Sequence, residues 1–151
     1  MSRFKRTMWS CSLGVGLVLA TAAPVLAHGP KPIGIVTAFH AAMDSGDREA
    51  ALELLLPEAL IFEAGRGQTV EEYAAHHLAS DMAFSQATSR EILEQSDQTV
   101  DNVAWVMTRA RTTGTFEDRE IDSTGVETFV LQHVKAGWRI AHIHWSSAKK
   151  P

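Results

Sequence analysis

The segment that decides the fold is residues 137–147, GWRIAHIHWSS. Polar and apolar side chains alternate through it, and Lys135-Ala-Gly137 at its start has the composition of a turn, so it reads as a β-strand. Residues two apart on a strand share a face and lie about 6.5–7 Å from each other. Trp138, Ile140, His142 and His144 therefore fall on one face, and Ala141, Ile143 and Trp145 on the other. Taking Trp138 and Ile140 as the core-facing pair carries His142 and His144 inward and leaves Ile143 and Trp145 outside.

Working outward, three more strand patterns precede this one, at 88–98, 103–116 and 125–134, with turn residues at Asp101-Asn102 and Asp122-Ser-Thr-Gly125. The first half has a different period. Val36, Phe39 and Met43 recur at helical spacing within 33–45, and Gly46 supplies a stop. Asp47 caps a short helix over 48–55, which Pro57 ends. Leu60-Ile-Phe-Glu63 is a short strand closed by the turn-rich Gly65-Arg-Gly67. Thr69 and Glu72 have capping-box spacing and open a helix over 70–79 with Val70, Tyr73, Ala74, His77 and Leu78 on one stripe. Helices followed by a run of hairpin strands predict an α+β domain. One curved sheet packed against three helices would bury a single core.

The first 27 residues read as a secretory signal peptide. Arg3, Lys5 and Arg6 precede an apolar run that ends in a small-residue cleavage site, Val25-Leu-Ala27. The run falls short of the roughly 20 residues a membrane span needs. The expected organisation is a leader over 1–27, a Pro-rich lead-in over 28–32, one domain over 33–147 and a tail over 148–151, in an exported, periplasmic protein. The leader holds three of the 14 basic residues and none of the 18 acidic ones, leaving the rest of the chain at a net charge of −7. An acidic domain without a basic stripe argues against nucleic acid or an anionic membrane as partner. Cys11, the one cysteine, lies in the leader, which excludes thiolate chemistry and disulfides from the domain.

The order helix–SGD–helix–LIFEAG, then EEYAAHHL, GVETFVL and GWRIAHIHWSS, resembles the nuclear transport factor 2-like superfamily. The nearest branches are the SnoaL-like proteins and the association domain of calcium/calmodulin-dependent protein kinase II, which also ends in a Trp, a His-x-His strand and a Ser. The resemblance covers about residues 33–147. It implies a cone-shaped, strongly curved antiparallel sheet wrapped round about three N-terminal helices, with a pocket at the open end and, usually, a homodimer. The superfamily includes isomerases, dehydratases, cyclases and pure binding or assembly domains, and the fold does not choose among them. Ketosteroid isomerases use tyrosine with acidic residues, and scytalone dehydratases need more than one tyrosine, whereas this chain has only Tyr73.

Within that frame His142 and His144 form the densest constellation. Imidazoles titrate near neutrality and suit proton transfer; the same pair suits zinc or copper. A metal needs a third ligand. His77 fits, with Asp81 four residues on to accept its second ring N–H, and so does His28 if cleavage makes it the N-terminus. Glu63, ending the LIFE strand beside a glycine-rich turn, is the candidate general base if burial raises its pKa. Tyr73 and Trp138 are further ligand-binding candidates. Glu127 depends on register: pairing Val134 with Trp138 sets Thr128 and Val130 beside the histidines and turns Glu127 away, and a one-residue slip reverses this. Arg109 shares a face with Trp105, Met107 and Arg111. It either faces solvent or, as the kinase-domain resemblance implies, meets a carboxylate-bearing ligand. His40 falls on a helical stripe and reads as packing.

The expected function is binding or acid–base processing of a small polar organic ligand, without a cofactor, in a homodimer joined through Ile143 and Trp145. The alternatives are a zinc- or copper-binding periplasmic protein and a dimeric assembly domain without catalysis.

Overall fold

Helix α1 (Pro32–Ser45) begins with a proline in its first turn, where a missing N–H costs nothing, and buries Ile35, Val36, Phe39, Ala42 and Met43 along one stripe. Gly46 ends it in the left-handed region, φ 71°, and the N–H of Asp47 returns to the Ala42 carbonyl at 2.9 Å. The structure, a computed structural model, describes residues 31–149. The leader 1–27 and His28 lie outside the described residues. Asp47 then caps α2 (Arg48–Glu53), accepting from the Ala50 N–H at 3.0 Å.

Helix α2 stops earlier than expected because Leu55 already belongs to β1 (Leu55–Glu63). Ala64 and Gly65, with φ of 50° and 75°, turn the chain straight into β2 (Arg66–Thr69), a strand where a loop was expected. The capping box forms: the Thr69 side chain accepts from the Glu72 N–H, and Glu72 accepts from the Thr69 N–H. The helix it opens does not run to 79. α3 (Val70–His76) breaks at His77, whose φ is −117°, and α4 (Leu78–Ala87) follows.

The remaining strands are β3 (Thr88–Val100), β4 (Val103–Phe116), β5 (Arg119–Val134) and β6 (Gly137–Lys149). The β4–β5 turn is Glu117-Asp118, both at positive φ, and the expected turn at 122–125 is strand. Asp122 sits within the ladder and accepts from Arg111 Nε and Nη2. Sheet order is β2-β1-β6-β5-β4-β3. Neighbours are antiparallel except β1 and β6, which are parallel, so the sheet is mixed. No hairpin joins β1 to β6; nearly the whole domain separates them, and turn geometry does not fix their sense. The sheet curls round the helices without closing.

Strand β6 departs most from expectation. Val130 pairs with His142 and Leu131 with Ile140, so Ala141 is an extra residue, a β-bulge. The bulge shifts the alternation by one. Ile140 is inward and, past the bulge, so are Ile143 and Trp145; both isoleucines are fully buried. His142 and His144 are thereby turned to the outer face. His142 lies there against the exposed Phe62 ring at 5.0 Å, its Nδ1 bonded to the Leu60 carbonyl at 2.9 Å. A regular strand would have produced the expected arrangement; one inserted residue inverts it.

The face assignment makes a direct prediction. Ile143→Ala should cost about 2–5 kcal/mol, the range for a buried isoleucine, while His144→Ala should stay within about 0.5 kcal/mol. Denaturant melts of the two variants check it, and the opposite ranking would place the histidines inside.

Candidate active site

The same bulge builds the site. With Trp145 turned inward, its strand partners Glu63 on β1 and Glu127 on β5 come in beside it, and Thr108 on β4 continues the row. Phe39 of α1, Tyr73 of α3 and Phe129 pack round the indole at centroid distances of 6.3, 6.3 and 6.4 Å. At the wide end of this row a cavity of about 700 Å³ lies between α1, α4 and strands β3 to β6, with His40, Glu63, Asp81, Arg90, Glu127 and Trp145 in its lining.

Glu127 is the most fully bonded of these groups. Its side chain is 7% exposed and accepts from Arg90 Nη2, from His40 Nε2 at 3.2 Å and from the Trp145 indole N–H at 3.3 Å. Burial alone pushes its pKa up, but the His40 hydrogen bond and charge, the Arg90 guanidinium and the Thr108 hydroxyl outweigh this and hold it below the usual value. Glu127 is an ionised anchor.

Across the cavity the logic reverses. Burial pushes Asp81 up, with Tyr73 and His77 only partly opposing, and burial plus the neighbouring Asp81 push Glu63 up. Tyr73, 1% exposed, faces the two carboxyls, and its phenol is also driven well above its ordinary pKa by burial and by Asp81. No hydrogen bond of sound geometry reaches the Tyr73 hydroxyl, Asp81 Oδ2 or His77 Nδ1, although all three atoms are buried. The site therefore holds one carboxylate kept charged and two carboxyls inclined to keep a proton, a pattern that separates acid–base roles.

The sequence-derived candidates are dispersed by the fold. Glu63, Glu127 and, behind them, Tyr73 and His77 come together on the inner side. His142 and His144 lie on the outer face and do not meet His77. Among the described residues no three of His, Cys, Asp and Glu are grouped so as to hold one metal ion. The expected side-chain bond from His77 to Asp81 is not formed, the pair being linked by a backbone bond instead. Arg109 is on the outer face, paired with Glu94 at 2.7 Å. Trp138 stacks edge-on against His133, 5.1 Å away, at the β5–β6 turn and away from the cavity. His40, Arg90 and the inward Trp145 were missed as site residues. Trp145 sits in a strand pattern whose phase the bulge changes, His40 lies on the expected helical stripe but lines the cavity besides packing, and nothing in TSREILEQ marks Arg90 as inward.

A family model for the SnoaL-like domain matches residues 34–150. The chain belongs to the SnoaL-like family. Its fold is that of solved relatives. A protein from Shewanella frigidimarina NCIMB 400, provisionally named a ketosteroid isomerase, is 31% identical with a TM-score of 0.72, over 74% of this chain and 91% of its own. A provisionally named dehydratase of the NTF2-like family from Streptomyces avermitilis is 18% identical, TM-score 0.66, over 76% and 91%. The CaMKII hub of S. rosetta is 19% identical, TM-score 0.64, over 79% and 98%. No curated protein matches the chain.

The raised Asp81 has a stability consequence. The folded state holds its proton more tightly than the unfolded chain, so ionising Asp81 weakens the fold progressively as pH climbs from the ordinary 3.8 through the folded pKa. Asp81→Asn should therefore gain about 1 kcal/mol at pH 7. The gain should fade as pH drops below the ordinary value, which melts across a pH series would show.

Proposed function

We propose that this SnoaL-like protein binds a small polar organic ligand in the cavity and moves a proton on it, with Glu63 as the proton-transferring group. The observation that carries this is the pairing of Glu63 with Asp81 inside a cavity whose lining cation, Arg90, is spent on Glu127. A carboxyl poised above its usual range is suited to abstract and return a proton near neutral pH. Asp81 tunes Glu63, Tyr73 offers a neutral hydroxyl donor close by, and Glu127 with Arg90 and His40 fixes the opposite wall. The provisional name of the Shewanella relative, an isomerase of a ketone, supports the same class of chemistry.

Exchange of the α-hydrogens of a small cyclic ketone in D2O, followed by proton NMR, tests the reading. The protein should accelerate exchange, and Glu63→Gln should remove about 10²–10⁴-fold of that acceleration. Equal rates for protein and buffer, or for wild type and variant, would refute it.

The reading includes export with cleavage after Ala27 and a homodimer formed through the outer sheet face, now with different residues. Leu60, Phe62 and Met107 are each more than 40% exposed there, in rows completed by His142, His144 and Thr128. An apolar patch of this kind usually marks an interface, and the S. rosetta relative is named a hub. Protein recovered from the periplasm should have the mass of residues 28–151 and sediment at twice it, with Phe62→Asp sedimenting as a monomer. A retained leader would refute export, and an unchanged variant would refute this interface.

A further inference from the structure

We infer that Gly125 determines the size of ligand the cavity admits, its missing side chain making the floor on which the far part of a two-ring ligand lies. The inference rests on the proposed use of the cavity and goes further by assigning its selectivity to one residue.

Gly125 lies in the interior of β5, paired with Ala110 on β4 and Ser147 on β6, with no bulge at that position. Glycine weakens a strand interior, because it packs nothing and gives up the most backbone freedom on folding. Left-handed backbone explains Gly46 and Gly65, but Gly125 is not among the residues at positive φ. Crowding does not explain it either. A Cβ built there would meet the Ser146 carbonyl oxygen at 3.3 Å and Ser147 Cβ at 3.7 Å, both on the neighbouring strand, and no atom of α1 or α4 within 4 Å. The backbone therefore tolerates a side chain that the sequence does not supply.

The space left open belongs to the cavity, whose lining includes Gly125, Ala110 and Ser147. Glu127, two residues along β5, is buried, which puts Gly125 on the same inner face about 6.5–7 Å away. The same step separates Ser147 from Trp145, whose ladder partner on β1 is Glu63. A single ring with its reacting carbon at Glu63 is accommodated beside Trp145, and a second, fused ring extends along the strands onto Gly125. What Gly125 offers that ring is shape alone, since β5 has a strand on either side and its backbone groups are taken up in the ladders. A hydrocarbon ring face suits such a floor. A side chain at 125 would stand in its place.

Cyclohexanone and trans-2-decalone differ by one fused ring, and each can be titrated into the purified protein with the Trp145 indole N–H followed by NMR. In Gly125→Val, affinity for trans-2-decalone is expected to fall about tenfold or more, the scale of a methylene-sized misfit in an apolar pocket. Cyclohexanone should bind as before, and the melting temperature should equal that of the wild type or exceed it. Gly125→Ala should lose trans-2-decalone less steeply in the same direction, and it decides the matter if the valine variant alone is destabilised. A lowered melting temperature in both variants would mean that the sheet itself requires glycine, and would overturn the inference. Equal losses for the two ketones, no loss for trans-2-decalone, or a wild type that takes cyclohexanone alone would overturn it too, while leaving the cavity a ligand site. If neither ketone perturbs the Trp145 signal, the cavity reading fails and this inference fails with it.

Discussion

One inserted residue, Ala141, sets the phase of everything that follows it in β6. Side chains on a strand alternate strictly, so an extra residue exchanges the two faces of the remainder. Here it brings Ile143 into the core beneath Phe129 and swings Trp145 over α1. Trp145 is laddered to Glu127 on one side, which is buried, and to Glu63 on the other, which stays exposed at the end of β1. The two acids have different surroundings. Glu127 gains a guanidinium, an imidazole and an indole, and is stabilised as an anion. Glu63 gains no such partners, and Asp81 opposes it.

That contrast gives the cavity its character. A buried carboxylate surrounded by donors is chemically quiet; it orients its neighbours and does not give up its charge. A carboxyl without them, set beside a second acid, has its pKa pushed above the ordinary value. Holding one of each on opposite sides of Trp145 gives a directional site, with a fixed wall and a reactive one. Helices α1 and α4 complete it by contributing His40 to the first and Asp81 to the second.

Much of the architecture was legible in the sequence because it is written in short-range signals. The Thr69–Glu72 capping box, the Gly46 stop, the Asp47 cap and the Asp101-Asn102 turn each act within a few residues, and each is found where its pattern places it. What failed is what depends on partners distant in sequence. Asp122-Ser-Thr-Gly125 has turn composition but remains strand because Arg111 holds Asp122 across the hairpin. Glu127 was correctly recognised as depending on register. It points inward because the β5–β6 turn pairs Val134 with Gly137, a one-residue slip that sets Leu131 beside Ile140 and so puts Leu131, Phe129 and Glu127 together on the inner face. A bulge at alanine, flanked by apolar residues on both faces, leaves no mark in the alternation, and the histidines were misplaced for that reason. Arg90 lies on a strand whose side chains are mostly exposed, so no hydrophobic pattern distinguishes its two faces.

The environment of Tyr73 makes the domain its own reporter. It is the one tyrosine in the sequence, and burial beside Asp81 and Glu63 raises the pKa of its phenol above the ordinary value. As pH rises, a solvated tyrosine therefore ionises before the folded one. Opening of α3 away from the sheet adds to the ultraviolet band of phenolate, so a spectrophotometer reading of that band follows opening with no label attached.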